Sequence, residues 1–221
     1  MITRGGGEKW KKVKKVGSLL GDADDFLRRK SLAITAMREM KSIWIRNRKT
    51  HIQKRLQLYN SLVKPILTYN SCTWGLTKQQ TSSLDSFHRQ QLRQVWNISY
   101  PDTIRNHRLY ERSGAHPISK EIKYARWRFF GHALRLEADT PAQKAMDFYF
   151  ENISNPKYRG RPRTTIVTTL NEDIKAAKHI HSDLEINEIH NARDLETACS
   201  LASQSKESWR TLAKKISSVE L

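Results

Sequence analysis

A pair of neighbouring carboxylates, Asp24 and Asp25, is the arrangement in this sequence closest to catalytic chemistry. Two such groups hold a pair of Mg²⁺ ions when they lie on a tight turn between strands, with a third Asp on a neighbouring strand. Here they follow Asp22 and precede a helical pattern that starts at Phe26. Acidic side chains in a first helical turn are ordinary capping and helix-dipole chemistry. The pair therefore predicts the start of a helix capped by Asp22, and not a catalytic site.

The sequence contains no other enzyme signature. It lacks a Gly-rich phosphate-binding loop, a GxSxG element and an HExxH element. His179 and His181 have no further metal ligands nearby and are interpreted as surface residues, whereas His88 and His132 are interpreted as packed, hydrogen-bonded residues. Two cysteines are too few for a disulfide framework or a zinc site. We therefore predict no catalytic residue, no metal site and no cofactor in this chain.

Charge is the strongest signal. The 221 residues carry 40 Lys and Arg against 22 Asp and Glu, a net charge of +18. Residues 1–65 have 17 basic and 5 acidic side chains, whereas residues 164–221 have 7 and 9. A surface with about 6–10 Lys or Arg contacts binds nucleic acid because it releases counterions from the phosphates. We expect a nucleic-acid partner, no small-molecule substrate and no membrane, since no apolar run reaches the roughly 18 residues of a membrane span. The expected location is intracellular, in the nucleus or cytoplasm.

Apolar residues recur at helical spacing, and strand-like alternation is nearly absent. The first helix is predicted to bury Phe26, Ala33, Met37, Met40 and Trp44. A second helix is predicted after a cap at Thr50, with a kink or an end at Pro65. A third is predicted from Thr81 to Trp96, and a fourth from Pro101 and Asp102 to Gly114.

A fifth predicted helix has two faces of different character. The face predicted to be buried carries Ile122, Ala125, Phe129, Ala133 and Leu136. The other carries Tyr124 and Trp127 among Lys120, Lys123, Arg128 and Arg135. Aromatic rings among cations are typical of a surface that stacks on bases and contacts phosphates. The same face also fits packing against the linker or the terminal helices, and both interpretations remain open.

Residues 159–163 read Arg-Gly-Arg-Pro-Arg within a polar linker. This pattern is similar to an AT-hook, in which an extended basic segment enters a narrow minor groove; a flexible basic linker is the alternative. The complete pattern predicts a mainly α chain: a basic segment over residues 1–20, a multi-helix bundle over 21–150, a basic linker over 151–163 and a C-terminal helical appendage over 164–221.

Five segments occur in an order that carries a family resemblance. They are KKVGSLLGDADDFLRRKSLA (14–33), LYNSLVKPILTYNSCTWGL (58–76), SFHRQQLRQVW (86–96), RWRFFGHALRL (126–136) and GRPRTTIVTTLNEDIK (160–175). Together they resemble the region just after the palm in reverse transcriptases of non-LTR (LINE-type) retrotransposons. The resemblance covers about three quarters of the chain. It implies a thumb-like bundle that lies along an RNA–DNA or DNA duplex and grips its backbone without reading sequence.

The resemblance gives a backbone-contact role to the basic cluster of the first segment, and the charge pattern adds further candidates. The expected nucleic-acid contacts are Lys11, Lys12, Lys14, Lys15, Arg28, Arg29, Lys30, Arg46, Arg48, Lys49, Lys123, Trp127, Arg128, Arg159, Arg161 and Arg163. The fingers, the metal-binding Asp residues of the palm and an endonuclease domain have no counterpart. We therefore expect a fragment that does not polymerise DNA by itself, the Mg²⁺ of the parent family being held by the palm.

Two other functions remain open. The second hypothesis is an interaction module, in which the helices dock on a palm and fingers segment or on another protein and the charge serves solubility. The third hypothesis is an AT-hook DNA-binding protein. It predicts that Arg161→Ala removes most of the binding to AT-rich duplex.

Overall fold

The computed structural model describes residues 13–45, 47, 49–151 and 164–219. Over these residues the chain is mainly helical, as predicted, and it contains one two-stranded hairpin. It divides into two compact units, residues 1–119 and 120–221. The predicted boundaries at residues 20, 150 and 163 stay a prediction.

The hairpin pairs β1 (Lys14–Lys15) with β2 (Ser18–Leu19) in antiparallel register. Its two turn residues, Val16 and Gly17, have φ values of 47° and 84°. This left-handed pair matches the twist of the strands, and Gly17 adopts it without steric cost.

The helix α1 (Asp22–Met40) starts where the sequence predicts, but its N-cap is Gly21 and makes no side-chain cap. Phe26, Ala33, Met37 and Met40 form the predicted buried stripe, whereas Trp44 is 50% exposed. The prediction for Trp44 is wrong because a π-helical turn (Lys41–Ile45) follows α1. Its wider i→i+5 winding shifts the phase of the stripe.

The next helical run is continuous rather than broken at the proline. It consists of α2 (Ile52–Leu58), a π-helical turn (Tyr59–Val63) and α3 (Lys64–Thr68). His51, and not Thr50, caps α2, because its Nδ1 accepts a hydrogen bond from the Gln53 backbone N–H at 3.4 Å. Pro65 lies in the first turn of α3, where its missing N–H costs little.

Two further helices complete the first unit, together with a 3₁₀ turn (Ser71–Thr73). The helix α4 (Lys78–Val95) starts three residues before the predicted Thr81, because Thr77 and Gln80 form a capping box. The helix α5 (Asn106–Ser113) starts after the predicted Pro101 and ends, as predicted, at Gly114, whose φ is 57°. The first unit buries Phe26, Met37, Tyr59, Val63, Leu67, Trp74, Leu84, Leu92 and Leu109.

His88 lies inside this core, as predicted. It lies 2.7 Å from the Tyr59 hydroxyl through Nδ1, and its ring stacks between Tyr59 and Tyr110 at centroid distances of 5.7 and 6.2 Å. Burial, aided by the nearby positive charges of Lys64 and Arg89, lowers the pKa of His88 to about 4. His132, the other predicted packed histidine, is exposed.

The second unit contains α6 (Ile118–Leu134), whose first two residues belong to the first unit, and four further helices. These are α7 (Pro141–Glu151), α8 (Ile166–Ile180), α9 (Ala192–Gln204) and α10 (Lys206–Ser218). The single terminal helix of the prediction is two helices, because Ser205 is extended and its hydroxyl caps α10. The core includes Trp127, Phe130, Leu134, Leu170, Ile174, Ile186, Leu195, Trp209 and Ile216.

The buried face of α6 is only partly the predicted one, since Ile122 and Ala133 are buried as predicted. Trp127 and Phe130 are buried, whereas Ala125 and Phe129 are exposed. The helix carries apolar residues on more than one side, so periodicity alone does not select the buried face. Contact with α10 selects it: a Cβ added at Gly131 would overlap the Trp209 indole, which explains the helical glycine.

Candidate nucleic-acid interface

The hairpin is attached to the start of α1 by a buried carboxylate. Asp25, 1% exposed, accepts hydrogen bonds from the Leu19 backbone N–H at 2.9 Å and the Trp74 Nε1 at 3.2 Å. Asp22 accepts from the Gly75 backbone N–H at 3.0 Å, and burial raises the pKa of its carboxyl group. The acidic residues at the start of α1 therefore connect β2, α1 and the segment after the 3₁₀ turn.

Two arginines hold the hairpin turn. Arg28 Nη1 and Arg29 Nη2 each donate to the Gly17 carbonyl oxygen at 2.6 Å, and Arg29 also donates to the Ser18 hydroxyl at 3.2 Å. Tyr69 donates to the Val16 carbonyl at 2.8 Å, and its ring lies 4.2 Å below the Arg29 guanidinium. Arg28, Arg29 and Tyr69 therefore each hold the turn through a hydrogen bond to one of its backbone carbonyls.

This arrangement places the first basic cluster of the prediction in three different environments. Lys14 and Lys15 are exposed on β1, and Arg28 is half-buried. Arg29 is 6% exposed and lies 3.6 Å from the Asp25 carboxylate. The structure contradicts the expectation that Arg29 contacts a phosphate, because its guanidinium is already used by the turn and by Asp25. Lys14 and Lys15 can reach a ligand. Arg28 donates to the Gly17 carbonyl and lies 3.9 Å from the Asp25 carboxylate, so a phosphate contact from Arg28 would have to replace these interactions.

Lys30 is half-buried and already engaged. Its Nζ donates to the Ser83 hydroxyl at 3.1 Å and lies 5.2 and 5.3 Å from the ring centroids of Phe26 and Phe87. It therefore joins α1 to α4. A phosphate contact from Lys30 would have to replace these interactions, whereas Lys49 is exposed and available.

The outward side of α1 continues from Arg28. We call it the α1 outer face, formed by Leu27, Ser31, Ile34, Thr35 and Arg38. Leu27 is 60% and Ile34 is 41% exposed, and the other three are also exposed. The spacing of four, three and four residues along Leu27, Ser31, Ile34 and Arg38 keeps them on one side of the helix. Small hydroxyls, aliphatic side chains and a cation suit the sugar-phosphate edge of a duplex.

Two site residues predicted on α6 are buried in the second unit. Trp127 is fully buried, and its Nε1 donates to Asp173 Oδ2 at 3.1 Å. Lys123, 5% exposed, lies 3.6 Å from Asp173 and donates to the Val219 carbonyl at 3.0 Å. Burial lowers the pKa of Lys123, and the Asp173 charge opposes this shift. The predicted nucleic-acid contacts of Trp127 and Lys123 are therefore wrong, because their polar atoms are used inside the core.

Arg128 is the third nucleic-acid contact predicted on α6. It is exposed, and its guanidinium lies over the Tyr124 ring, 5.7 Å from the ring centroid. It is the predicted α6 contact that stays available to a ligand. Seven other candidates lie outside the described residues: Lys11, Lys12, Arg46, Arg48, Arg159, Arg161 and Arg163.

Sequence reasoning missed a second group of cations on the first unit. Arg105, Arg108 and Arg112 line one groove with Thr103 and Asp102. Arg108 and Arg112, four residues apart, lie on one side of α5, and Arg105 is the N-cap residue of that helix. The spacing of these three arginines is the sequence signal for the group, and it is not part of an aromatic-rich or Gly-rich motif.

Charge is divided unequally between the two units. The first has 23 Lys and Arg against 8 Asp and Glu, a net charge of +15. The second has 17 against 14, a net charge of +3. In the part of the chain that the structure describes, no group of three or more His, Cys, Asp or Glu side chains is placed to hold a metal ion. Within the same residues, no helix is long and apolar enough to cross a membrane.

Comparison with known proteins adds no further constraint. No protein-family model, curated protein or solved structure matches this chain.

Proposed function

We propose that the first unit is a nucleic-acid clamp of the kind that follows the palm in LINE-type reverse transcriptases. It holds an RNA–DNA or DNA duplex by its phosphates, reads no sequence and leaves the chemistry to a palm. The ordered segments quoted above motivate the family, and the charge of the first unit motivates the binding mode.

The observation that carries the proposal is the net charge of +15 on the first unit against +3 on the second. Both units are helical and of similar size, so helical composition alone does not explain the difference. A cationic surface binds duplexes by counterion release, which requires neither base contacts nor a pocket.

The hairpin and the α1 outer face are the proposed contact surface. Lys14 and Lys15 lie on β1, Arg28 contacts the hairpin turn, and the exposed Arg38 extends the positive charge along α1. The hairpin is fixed in advance by Asp25 and Arg29, so little conformational entropy is lost when its lysines bind. The cations are thus held on a rigid support.

Salt dependence of binding tests the proposal. We expect the full chain to bind a fluorescein-labelled RNA–DNA hybrid of about 20 base pairs, measured by anisotropy between about 50 and 300 mM salt. Four to eight phosphate contacts predict a slope of log K on log salt between about −4 and −7. Permuting the hybrid sequence should leave the affinity unchanged within about twofold, since phosphate contacts carry no sequence information.

Two outcomes would overturn the proposal. One is the absence of binding at about 50 mM salt, and the other is a slope near zero. A strong preference for one permuted sequence would instead favour direct base contacts over a clamp.

A helical interaction module remains a second candidate, because the first unit exposes several large apolar side chains. Leu27 and Ile43 are 60% and 62% exposed, and Trp44 and Leu62 are each 50% exposed. A palm segment or another protein that covers them would bury apolar surface. This candidate predicts that the isolated chain shows low hydrogen-exchange protection throughout the first unit, whereas the clamp predicts protected amides in α1 and α4.

A further inference from the structure

A groove of about 600 Å³ lies between the turn after α4 and the helix α5. Ile98 and Thr103 form the wall on the turn side, and Arg105, Arg108 and Arg112 form the wall on the helix side. The groove lies outside the surface formed by the hairpin and the α1 outer face, and the family resemblance assigns nothing to it.

The three arginines are free to bind an anion. All three are exposed, and none forms a hydrogen bond or an ion pair through its side chain with any residue in the described ranges. Asp102 is the acidic residue that lines the groove, so the lining carries an excess of two positive charges. Three guanidinium groups without carboxylate partners keep a positive potential that an anion can neutralise.

The walls of the groove are fixed by α4. Arg93 Nη2 donates to Asn106 Oδ1 at 2.7 Å and to the Ile104 carbonyl at 3.4 Å, at the start of α5. Trp96 Nε1 donates to the Ser113 hydroxyl at 2.9 Å, at the end of α5. The helix that carries the arginines is therefore held at both ends before any ligand arrives.

An exposed aromatic residue lies two positions before Asp102, which lines the groove. Tyr100 is 96% exposed and lies in the turn that closes with a hydrogen bond from the Asp102 backbone N–H to the Ser99 carbonyl at 2.9 Å. An exposed ring next to a row of arginines is the combination with which proteins bind unpaired nucleotides, because the ring stacks on a base while the cations follow the backbone. Bases inside a duplex are already stacked and do not offer a face to Tyr100.

We infer that this groove binds the phosphates of an unpaired nucleic-acid strand while Tyr100 stacks on one of its bases. Arg108 and Arg112 are about 6 Å apart along the helix axis and Arg105 precedes the helix, so the row matches about two or three consecutive nucleotides. The inference rests on the proposed function, to which it adds a single-stranded contact next to the duplex clamp. A strand that leaves the duplex, such as template or displaced strand, has the required chemistry.

Binding of the full chain to fluorescein-labelled oligo(dT) tests the inference. Replacing the three arginines together (Arg105→Gln, Arg108→Gln, Arg112→Gln) should make the slope of log K on log salt less negative by about 2, because each lost contact to a single strand removes about 0.7. Tyr100→Ala should weaken oligo(dT) binding about five- to a hundredfold, whereas Tyr100→Phe should retain it. The affinity for the RNA–DNA hybrid should change less than about twofold in Tyr100→Ala.

A matched control separates the groove from general electrostatics. Arg193→Gln, Lys206→Gln and Lys214→Gln together remove the same charge from exposed positions of the second unit. This variant should keep the wild-type slope. All variants change exposed side chains, and circular dichroism and thermal melting check that they fold.

The outcomes are distinguishable. The inference is overturned if the groove variant keeps the wild-type slope, if the control variant loses as much, or if Tyr100→Ala binds oligo(dT) as wild type does. Those results leave duplex binding untouched. Loss of strand binding in the groove variant, in a chain that never bound the hybrid, would support the groove and reject the duplex clamp.

Discussion

The two units of this chain use their cations in different ways. In the second unit, Lys123 and Arg126 converge on the buried carboxylate of Asp173, Arg126 at 3.2 Å, so both cations are used inside the core. In the first unit, Arg55 is also buried, yet it donates to the uncharged carbonyl oxygens of Thr50 and Asn47 at 2.9 and 3.0 Å. A carbonyl does not cancel the Arg55 charge, whereas the other buried arginine described in the first unit, Arg29, lies 3.6 Å from the Asp25 carboxylate.

A count of basic residues overstates the available cationic surface in both units, because Lys123 and Arg126 are buried in the second unit and Arg29 and Arg55 in the first. Trp127 and Lys123 looked like a binding face in the sequence because they alternate with exposed cations, but Asp173, some fifty positions away, withdraws them from solvent. The hairpin lysines have no such partner among the described residues. Four sets of substitutions test this difference between the units, from the largest expected effect to the smallest.

Removing the shared carboxylate of the second unit should have the largest effect. Asp173→Ala removes the carboxylate that Lys123 and Arg126 share and the acceptor of the Trp127 Nε1 hydrogen bond. We expect a loss of about 3–5 kcal/mol in the free energy of unfolding, measured by urea denaturation. The slope of nucleic-acid binding on salt should stay at the wild-type value under conditions where the variant is folded.

The neighbouring exposed residue provides the control. Glu172→Ala should change the free energy of unfolding by less than about 0.5 kcal/mol. Adding Lys123→Met and Arg126→Met to Asp173→Ala should recover part of the loss, because apolar side chains remove the uncompensated charges. A fully stable Asp173→Ala variant would show that the cluster does not need its carboxylate.

The second prediction concerns pH and acts in the first unit. The pKa of His88 is lowered to about 4 from the ordinary 6.5, because burial disfavours the imidazolium. The neutral form is favoured by folding, so this contribution is fully present above pH 6.5 and is lost as the pH falls through about 4. The expected loss is about 3 kcal/mol between these limits.

Stability measured by urea denaturation from about pH 7 to pH 4 checks this value. Carboxylates also titrate in this range, so the quantity to compare is the difference between wild type and His88→Gln, which removes the imidazole. His132→Gln, at an exposed position, should follow the wild-type curve. Parallel curves for wild type and His88→Gln would show that His88 is protonated in the fold without cost.

Helical periodicity was sufficient for much of the first unit and failed where geometry departed from a regular α-helix. Phe26, Met37 and Met40 follow the expected stripe, whereas Trp44 lies after a π-helical turn that no local pattern announces. The buried face of α6 depended on its partner Trp209, which is distant in sequence.

The candidate site was partly predictable for a related reason. Charge density located the exposed Lys14 and Lys15, since neighbours in sequence lie together on a hairpin. It could not show that Arg29 faces the buried Asp25, or that Arg105 and Arg112 share a groove with residues of the preceding turn. Those facts depend on tertiary contacts, which a single sequence does not display.

Neutralising the hairpin lysines tests the external cations of the first unit. Lys14→Gln with Lys15→Gln should weaken binding to the RNA–DNA hybrid about tenfold at about 100 mM salt, or roughly 1.4 kcal/mol, and make the slope less negative by about 1.8. Stability should change little because both side chains are exposed. The matched pair Lys206→Gln and Lys214→Gln in the second unit should leave the slope unchanged. Equal effects of both pairs would remove the distinction between the units.

The smallest expected effect compares two similar caps, one in each unit. Thr77 accepts from the Gln80 backbone N–H at 3.3 Å at the start of α4, and Thr165 accepts from that of Thr168 at 3.2 Å at the start of α8. Replacing either threonine by Ala should cost about 1 kcal/mol. Since each cap serves a helix in a different core, we expect Thr77→Ala to lower hydrogen-exchange protection in α4 and Thr165→Ala to lower it in α8. Equal loss of protection in both helices from one substitution would show that the two cores open together.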